Sequence, residues 1–274
     1  MAGRQRLTGG LTGGLTRALG APTRGTTNPN RLRRVDRWLT SSPEIGTLLR
    51  RAAEPLVVDL GYGASPVTTV ELARRLRIAR PDLRVLGLEL DQDRVDAARH
   101  AADPPALDFR RGGFELAGTS PILVRAFNVL RQYPEDEVAG AWRLLLDRMA
   151  PGGLLVEGTC DEIGRLCSWV TVAEDGPRTL TLSYRLAELE LPSTVAERLP
   201  KVLIHHNMPG ERVHGFLRTL DACWLAAAPH RSFGVRARWA QTIALLADRG
   251  WPVLTRRTRW RLGELTVPFA TVRP

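Results

Sequence analysis

The sequence predicts an α/β fold, in which helices pack on both faces of a mostly parallel sheet. Short apolar runs bounded by glycine or proline, of which residues 56–60 (LVVDL) are the clearest, alternate with segments of helical spacing. Because strand and helix take turns in this way, the strands are expected to be parallel and joined by right-handed crossovers. The length of 274 residues, with 43% hydrophobic and 25% charged residues, suits one large or two small globular domains.

Helices are predicted where apolar residues recur at intervals of three and four. In residues 66–79 the apolar residues keep this spacing, and Ser65 before Pro66 forms a suitable helix start. The predicted helices cover residues 30–39, 43–53, 66–79, 91–101, 135–149 and 234–249.

Strands are predicted from short apolar runs between turn-forming residues. They cover residues 56–60, 84–90, 107–111, 121–130 and 153–158. Two hairpins are also predicted: one over 166–186 that turns at Gly176-Pro177, and one formed by 252–260 and 264–272.

The formal net charge of +10 raises nucleic acid as a partner, but the charge is unevenly distributed. Residues 1–35 contain seven arginines and no acid, and residues 228–274 contain nine arginines and two acids. The segment between them, 36–227, carries a net charge of −4. Basicity is therefore a property of the two ends, and RNA stays open as a partner.

The three cysteines include no CxxC pair, so reduced thiols in a cytoplasmic protein are the simplest interpretation. No apolar run reaches the roughly 18 residues that span a bilayer, and no membrane partner is expected. The histidines show neither HxH nor HxxxH spacing, so no metal site is predicted. We expect a monomer or a homodimer.

The sharpest motif is VVDLGYGASP, residues 57–66. Asp59 lies at the end of the first predicted strand, and Gly61 and Gly63 lie in the turn before the next helix. Glycines allow a tight turn and a close approach of the backbone to a ligand. Glu89 ends the second predicted strand, where a carboxylate can accept hydrogen bonds from both ribose hydroxyls of a nucleoside.

The motif favours one nucleoside ligand over a dinucleotide. A dinucleotide site has a third glycine, whereas residues 64–66 are Ala-Ser-Pro here. The carboxylate of Asp59 suits a ligand with an ammonium group better than one with a pyrophosphate. S-adenosylmethionine has both an amino acid end and a sulfonium cation.

On these residues the sequence resembles the class I S-adenosylmethionine-dependent methyltransferases, closely over residues 55–158 and more loosely over 234–272. The resemblance implies a Rossmann-like fold with a seven-stranded sheet whose last strand is antiparallel. It implies S-adenosylmethionine as cofactor and S-adenosylhomocysteine as product. Its implied cofactor contacts are Asp59, Gly61, Gly63, Glu89, Leu90 beside the adenine, Gly113, Phe114 and Asn128. Residues 110–114 (RRGGF) lack the acid that the family places near the adenine amino group.

Four segments follow from this resemblance. Residues 1–35 are expected to be a basic and at least partly flexible extension, and residues 36–160 the cofactor-binding core. Residues 161–232 are interpreted as an inserted hairpin and helical cap over the acceptor site. Residues 233–274 complete the core sheet with a helix and a hairpin.

Three residues are candidates for catalysis. Asn128 lies at the end of the fourth predicted strand and faces the cofactor in such folds, and Tyr133 comes shortly after that strand. His205 is a candidate general base, because its ordinary pKa lies near neutral pH. The residues 128–131 (Asn-Val-Leu-Arg) differ from the Asn/Asp-Pro-Pro-aromatic sequence of methyltransferases that act on base amines or glutamine amides.

The acceptor is expected to be a small molecule. Three alternatives stay open: an RNA methyltransferase that uses the basic termini, an NAD(P)-dependent oxidoreductase, and a non-catalytic nucleoside-binding protein.

Overall fold

The computed structural model describes residues 18–21 and 27–274. Its contacts divide the chain into two compact units. Unit 1 comprises the residues up to Pro29 together with Asp36–Leu155, and unit 2 comprises Asn30–Val35 and Val156–Pro274. Most of the predicted extension 1–35 lies outside the described residues.

Unit 1 alternates helices and strands as the sequence predicts. Its helices are α1 (Arg33–Ser41, which begins in unit 2), α2 (Pro43–Arg51), α3 (Val67–Ala79), α4 (Gln92–Ala98) and α5 (Glu135–Leu146). Its strands are β1 (Leu56–Leu60), β2 (Arg84–Glu89), β3 (Leu107–Arg111) and β4 (Leu123–Phe127). Pairing is parallel throughout, in the order β3-β2-β1-β4.

The register of this sheet brings charged residues together in its interior. Asp59 of β1 lies opposite Gly87 of β2 on one side and opposite Arg125 of β4 on the other. Helix α3 buries one face, which includes Leu72 and Leu76, in the interior of unit 1. It begins seven residues after the end of β1. The carboxyl ends of four parallel strands therefore meet at one edge, where ligands bind in open α/β sheets.

Unit 2 is built around antiparallel strands. Its strands are β5 (Leu154–Cys160, which begins in unit 1), β6 (Leu166–Ala173), β7 (Gly176–Tyr184) and β8 (Glu264–Pro268), in the order β5-β6-β7-β8. The pairs β6–β7 and β7–β8 are antiparallel. Its helices are α6 (Lys201–Ile204), α7 (Arg212–Ala226), α8 (Val235–Asp248) and α9 (Arg257–Trp260).

The predicted α/β class with a mostly parallel core and an antiparallel last strand is confirmed, but the strand count differs. The described residues form eight strands instead of the predicted seven, because both strands of the 166–186 hairpin join a sheet and β7 pairs with β8. The hairpin turns at Glu174-Asp175, two residues earlier than predicted. The role of residues 161–232 as a cap over an acceptor site stays a prediction.

The second predicted hairpin is wrong. Residues 252–260 contain the short helix α9 instead of a strand, and β8 stops at Pro268. Arg259 of α9 forms an ion pair with the buried carboxylate of Glu264 at the start of β8. This contact between residues five apart favours a helical turn over an extended strand in this segment. Pro268 lacks the N–H that a continuing ladder would need.

The helices of the described chain are short. The longest, α7 and α8, have 15 and 14 residues. Among the described residues, no helix combines the length and the apolar composition needed to cross a membrane.

Candidate functional site

A pocket lies at the carboxyl ends of the parallel strands of unit 1. It is lined by residues at or just after the carboxyl ends of β1 to β4 and by a stretch of the N-terminal segment: Leu19, Gly20, Ala21, Leu60, Gly61, Glu89, Leu90, Gly112, Gly113, Phe114, Val129 and Tyr133. Its empty volume, which includes space open to solvent, is about 260 Å³.

The glycine turn after β1 is fastened to the acid at the end of β2. Gly61 and Gly63 adopt φ angles of +69° and +83°, which residues with a side chain rarely adopt. The N–H of Gly63 donates to Glu89 Oε2 at 2.9 Å, and the N–H of Leu90 donates to Glu89 Oε1 at 2.9 Å. Glu89 is only 1% exposed, yet it lines the pocket. Its carboxylate is thus held in one orientation at the pocket wall.

The turn after β3 supplies a second carboxylate. Glu115 accepts the N–H of Gly113 on Oε1 at 2.8 Å, while the N–H of Phe114 points to the N-terminal segment. Phe114 is buried and its ring lies 5.5 Å from the ring of Tyr133. A donor and an acceptor therefore stand side by side next to an aromatic wall.

The N-terminal segment is hydrogen-bonded to this same turn. The carbonyl of Leu19 accepts from the Phe114 N–H at 3.0 Å, and the N–H of Leu19 donates to Glu115 Oε2 at 2.7 Å. The N–H of Ala21 donates to the Tyr133 hydroxyl, and Gln132 Nε2 donates to the Ala21 carbonyl at 3.0 Å.

Asp59 belongs to a buried ion network below the pocket. Its Oδ1 accepts from Arg125 Nε at 2.9 Å, and its Oδ2 accepts from Arg125 Nη2 at 2.6 Å and from Thr69 Oγ1 at 2.7 Å. Arg125 also pairs with Asp36 of α1, which in turn accepts from Arg75. Burial raises the pKa of the Asp36 carboxyl, against the lowering effect of the two arginines.

Five of the predicted cofactor residues line the pocket: Gly61, Glu89, Leu90, Gly113 and Phe114. Gly63 does not line the pocket, but its N–H donates a hydrogen bond to the lining residue Glu89. Asp59 does not line it, and both of its oxygens are engaged by Arg125. The cofactor roles of all these residues stay predictions.

The three predicted catalytic residues differ in their placement. Tyr133 lines the pocket, whereas Asn128 and His205 are not among its lining residues. Asn128 follows β4 in a left-handed conformation, with a φ of +60°. His205 lies in unit 2, exposed, with its Nε2 at 3.0 Å from Lys201 Nζ. Their roles in catalysis stay predictions.

Sequence reasoning missed Glu115 and the pocket residues of the N-terminal segment. Glu115 could have been found, since it is an acid two residues beyond Gly113, in the turn where the family's acid was missing. The segment around Gly20 carries no motif, and only the fold brings it to the turn after β3.

Comparison with known proteins yields structural likenesses alone. No family model matches this chain, and no curated protein matches it. The magnesium protoporphyrin IX methyltransferase from Synechocystis, with bound S-adenosylhomocysteine, is 20% identical with a TM-score of 0.36, over 46% of this chain and 53% of that one. Human N-acetylserotonin methyltransferase in complex with S-adenosylmethionine is 19% identical with a TM-score of 0.33. The match covers 46% of this chain and 36% of that one.

A structure described as a pericyclic reaction enzyme is similar to the same degree, at 18% identity and a TM-score of 0.34. It is matched over 53% of this chain and 34% of its own, so this chain spans about a third of its length. Likenesses at this level assign no activity to the present chain.

Proposed function

We propose that this protein is an S-adenosylmethionine-dependent methyltransferase with a small-molecule acceptor. The observation that carries the proposal is the buried carboxylate of Glu89, fixed against the glycine turn of Gly61 and Gly63 at the wall of a pocket. A carboxylate at the end of the second strand, beside a glycine turn that opens a helix, is the arrangement that holds a ribose.

The pocket also offers the groups that an adenine edge requires. Adenine presents a ring nitrogen that accepts and an amino group that donates. The N–H of Phe114 can serve the first and the carboxylate of Glu115 the second, because the N-terminal segment already uses them in these roles. The side chains of Phe114 and Leu90 line the same space and supply apolar walls for a ring.

When bound, S-adenosylmethionine supplies an electrophilic methyl group on a sulfonium. The protein's task is then to hold the acceptor in line with that group and to exclude water. Tyr133 is proposed to orient the acceptor. Burial raises the pKa of its hydroxyl, so at neutral pH the hydroxyl donates a hydrogen bond and does not act as a base. Asp59 is assigned a supporting role, because its charge is matched by Arg125.

Replacing Glu89 by alanine is expected to weaken S-adenosylmethionine binding about 30- to 100-fold. The reason is the loss of charge-assisted hydrogen bonds to the ribose hydroxyls, which together contribute about 2–3 kcal/mol. Titration calorimetry measures the effect directly. Asp96→Ala removes an exposed carboxylate from α4, outside the pocket, and should leave the affinity unchanged.

A glutamine at position 89 separates binding from folding. Its amide oxygen can still accept from the N–H of Gly63, so the glycine turn keeps an anchor while the ribose loses a charged acceptor. We expect an intermediate affinity and a slightly lower melting temperature, because the amide nitrogen replaces the oxygen that accepts the N–H of Leu90. If the wild-type protein binds NAD⁺ and not S-adenosylmethionine, or if Glu89→Ala binds the cofactor normally, the proposed function is wrong.

The small-molecule acceptor is favoured by the distribution of charge. Residues 36–227 carry a net charge of −4 and include every pocket residue except those of the N-terminal segment. RNA as acceptor predicts instead a steep loss of RNA affinity between low and moderate salt, carried by the basic ends. Methyl transfer to a metabolite set and to total RNA, measured side by side with labelled cofactor, decides between the two.

A further inference from the structure

The nucleobase end of the pocket is filled by the chain's own residues 19–21, which we call the plug. The main chain of Leu19 offers a carbonyl to the Phe114 N–H at 3.0 Å and an N–H to the Glu115 carboxylate at 2.7 Å. An acceptor and a donor side by side are what the edge of adenine would present to the same two groups. The plug thus reproduces the hydrogen bonds of a nucleobase.

We propose that the plug is an autoinhibitory contact that must leave before the adenine moiety of the cofactor can bind. This inference rests on the proposed function. The Phe114 N–H has a single hydrogen, which it donates to the Leu19 carbonyl, and Glu115 Oε2 accepts the N–H of the same residue. Plug and nucleobase therefore compete for the same partners.

Separate contacts hold the plug in place without using the nucleobase groups. The N–H of Ala21 donates to the Tyr133 hydroxyl, and Gln132 Nε2 donates to the Ala21 carbonyl at 3.0 Å. Both partners follow β4, whereas Phe114 and Glu115 follow β3. The plug is bound on two sides, which makes its release a distinct step.

Gly20 allows this conformation. Its φ of +133° is open to glycine and strained for any residue with a side chain. A Cβ at this position would lie 2.9 Å from the Tyr133 hydroxyl oxygen and 3.2 Å from Leu90 Cδ1. A larger residue at position 20 should therefore expel the plug while leaving Phe114 and Glu115 unaltered.

The apparent affinity for the cofactor depends on the fraction of molecules in which the plug occupies the nucleobase site. When only a fraction of the molecules has an open nucleobase site, the apparent Kd exceeds the intrinsic Kd by the inverse of that fraction. If the plug occupies the site in about four molecules of five, its removal lowers the apparent Kd about fivefold.

The first experiment titrates S-adenosylhomocysteine into the full-length Gly20→Val protein and into Gly140→Val. Gly140 lies within α5, and a Cβ there meets nothing within 4 Å, so this control makes the same chemical change in open space. We expect a Kd about fivefold lower for Gly20→Val and an unchanged Kd for Gly140→Val. An equal or weaker affinity of folded Gly20→Val would overturn the proposal, since a segment that closes over the cofactor would show that result.

The second experiment uses the wild-type chain and needs no variant to fold. Hydrogen exchange at the amides of Leu19 and Ala21 is measured with adenosine, with methionine and without ligand. Adenosine should speed exchange at both amides at least severalfold, and methionine should not. Unchanged or slower exchange with saturating adenosine contradicts the proposal.

The two experiments also distinguish this inference from the proposed function. If neither S-adenosylhomocysteine nor adenosine binds the wild type or Gly20→Val, the proposed function fails, and the plug proposal fails with it. If they bind and the plug amides stay protected, the function stands and the plug proposal alone is overturned.

Discussion

Replacement of Arg125 by methionine is expected to lower the free energy of unfolding by about 3–5 kcal/mol. Arg125 is fully buried on β4 and binds Asp59 through two nitrogens and Asp36 through a third. Methionine fills a similar volume but leaves the buried Asp59 without a counter-charge, while Asp36 keeps only Arg75. The cost of an unpaired buried charge is what makes this effect large.

The network has a second consequence for the site. Asp59 ends next to the glycine turn, and Arg125 also donates to the Thr68 carbonyl in the first turn of α3 at 3.1 Å. One guanidinium therefore joins β1, β4, α1 and the start of α3. Its loss should disturb the glycine turn, so cofactor affinity is expected to fall together with stability.

Urea unfolding at neutral pH measures the effect. The control is Arg84→Met, which removes an exposed arginine that pairs with Glu54 at 2.8 Å and should cost less than about 1 kcal/mol. A triple variant with Arg125→Met, Asp36→Asn and Asp59→Asn should regain part of the loss, because it buries no unpaired charge. Equal losses for Arg125→Met and Arg84→Met would show that the buried network contributes no more than an exposed ion pair.

Local signals in the sequence were sufficient for the first unit. The run of residues 56–60 is observed as β1 with the predicted bounds, and α3 begins one residue after the predicted start. Both follow from short-range patterns: an apolar run closed by glycine, and apolar spacing after Pro66. Glu89 ends the next strand, β2, and lies at the pocket wall, while its contact with the cofactor stays a prediction.

The features that the sequence did not predict depend on contacts between distant residues. The motif alone predicts that Asp59 contacts the cofactor. In the structure Asp59 lies opposite Arg125, 66 residues later in the chain, and accepts its hydrogen bonds. An arginine within the apolar strand LVRAF signals a buried partner, but not which one. The plug is separated from Phe114 and Tyr133 by about a hundred residues, and no periodicity reports such a contact.

Glu157 gives the second large effect, a dependence of stability on pH. It lies on β5, is fully buried, and neither carboxyl oxygen has a hydrogen-bond partner among the described residues. Burial raises the pKa of this carboxyl from its ordinary 4.5 to about 8. The side chain is therefore mostly neutral at pH 7.

The sign of the pH effect follows from proton linkage. Between pH 4.5 and about 8 the folded protein keeps the proton of Glu157 and the unfolded chain releases it. Stability from this group is thus fully present below pH 4.5 and is lost as the pH rises through 8. Complete loss amounts to roughly 5 kcal/mol at most, from about 1.4 kcal/mol per unit of pKa.

Glu157→Gln should remove this dependence, because its amide stays neutral at every pH. We expect the variant to be more stable than the wild type at pH 8.5, by several kcal/mol, and to lose this advantage at pH 5. Urea unfolding at both pH values gives the difference in the free energy of unfolding between variant and wild type. The contributions of other titrating groups, such as Asp36, are the same in both proteins and cancel in this difference. Glu174→Gln changes an exposed residue of the β6–β7 turn; it serves as control and should follow the wild type. Parallel stability curves for Glu157→Gln and wild type would mean that Glu157 finds a partner or solvent in the folded protein.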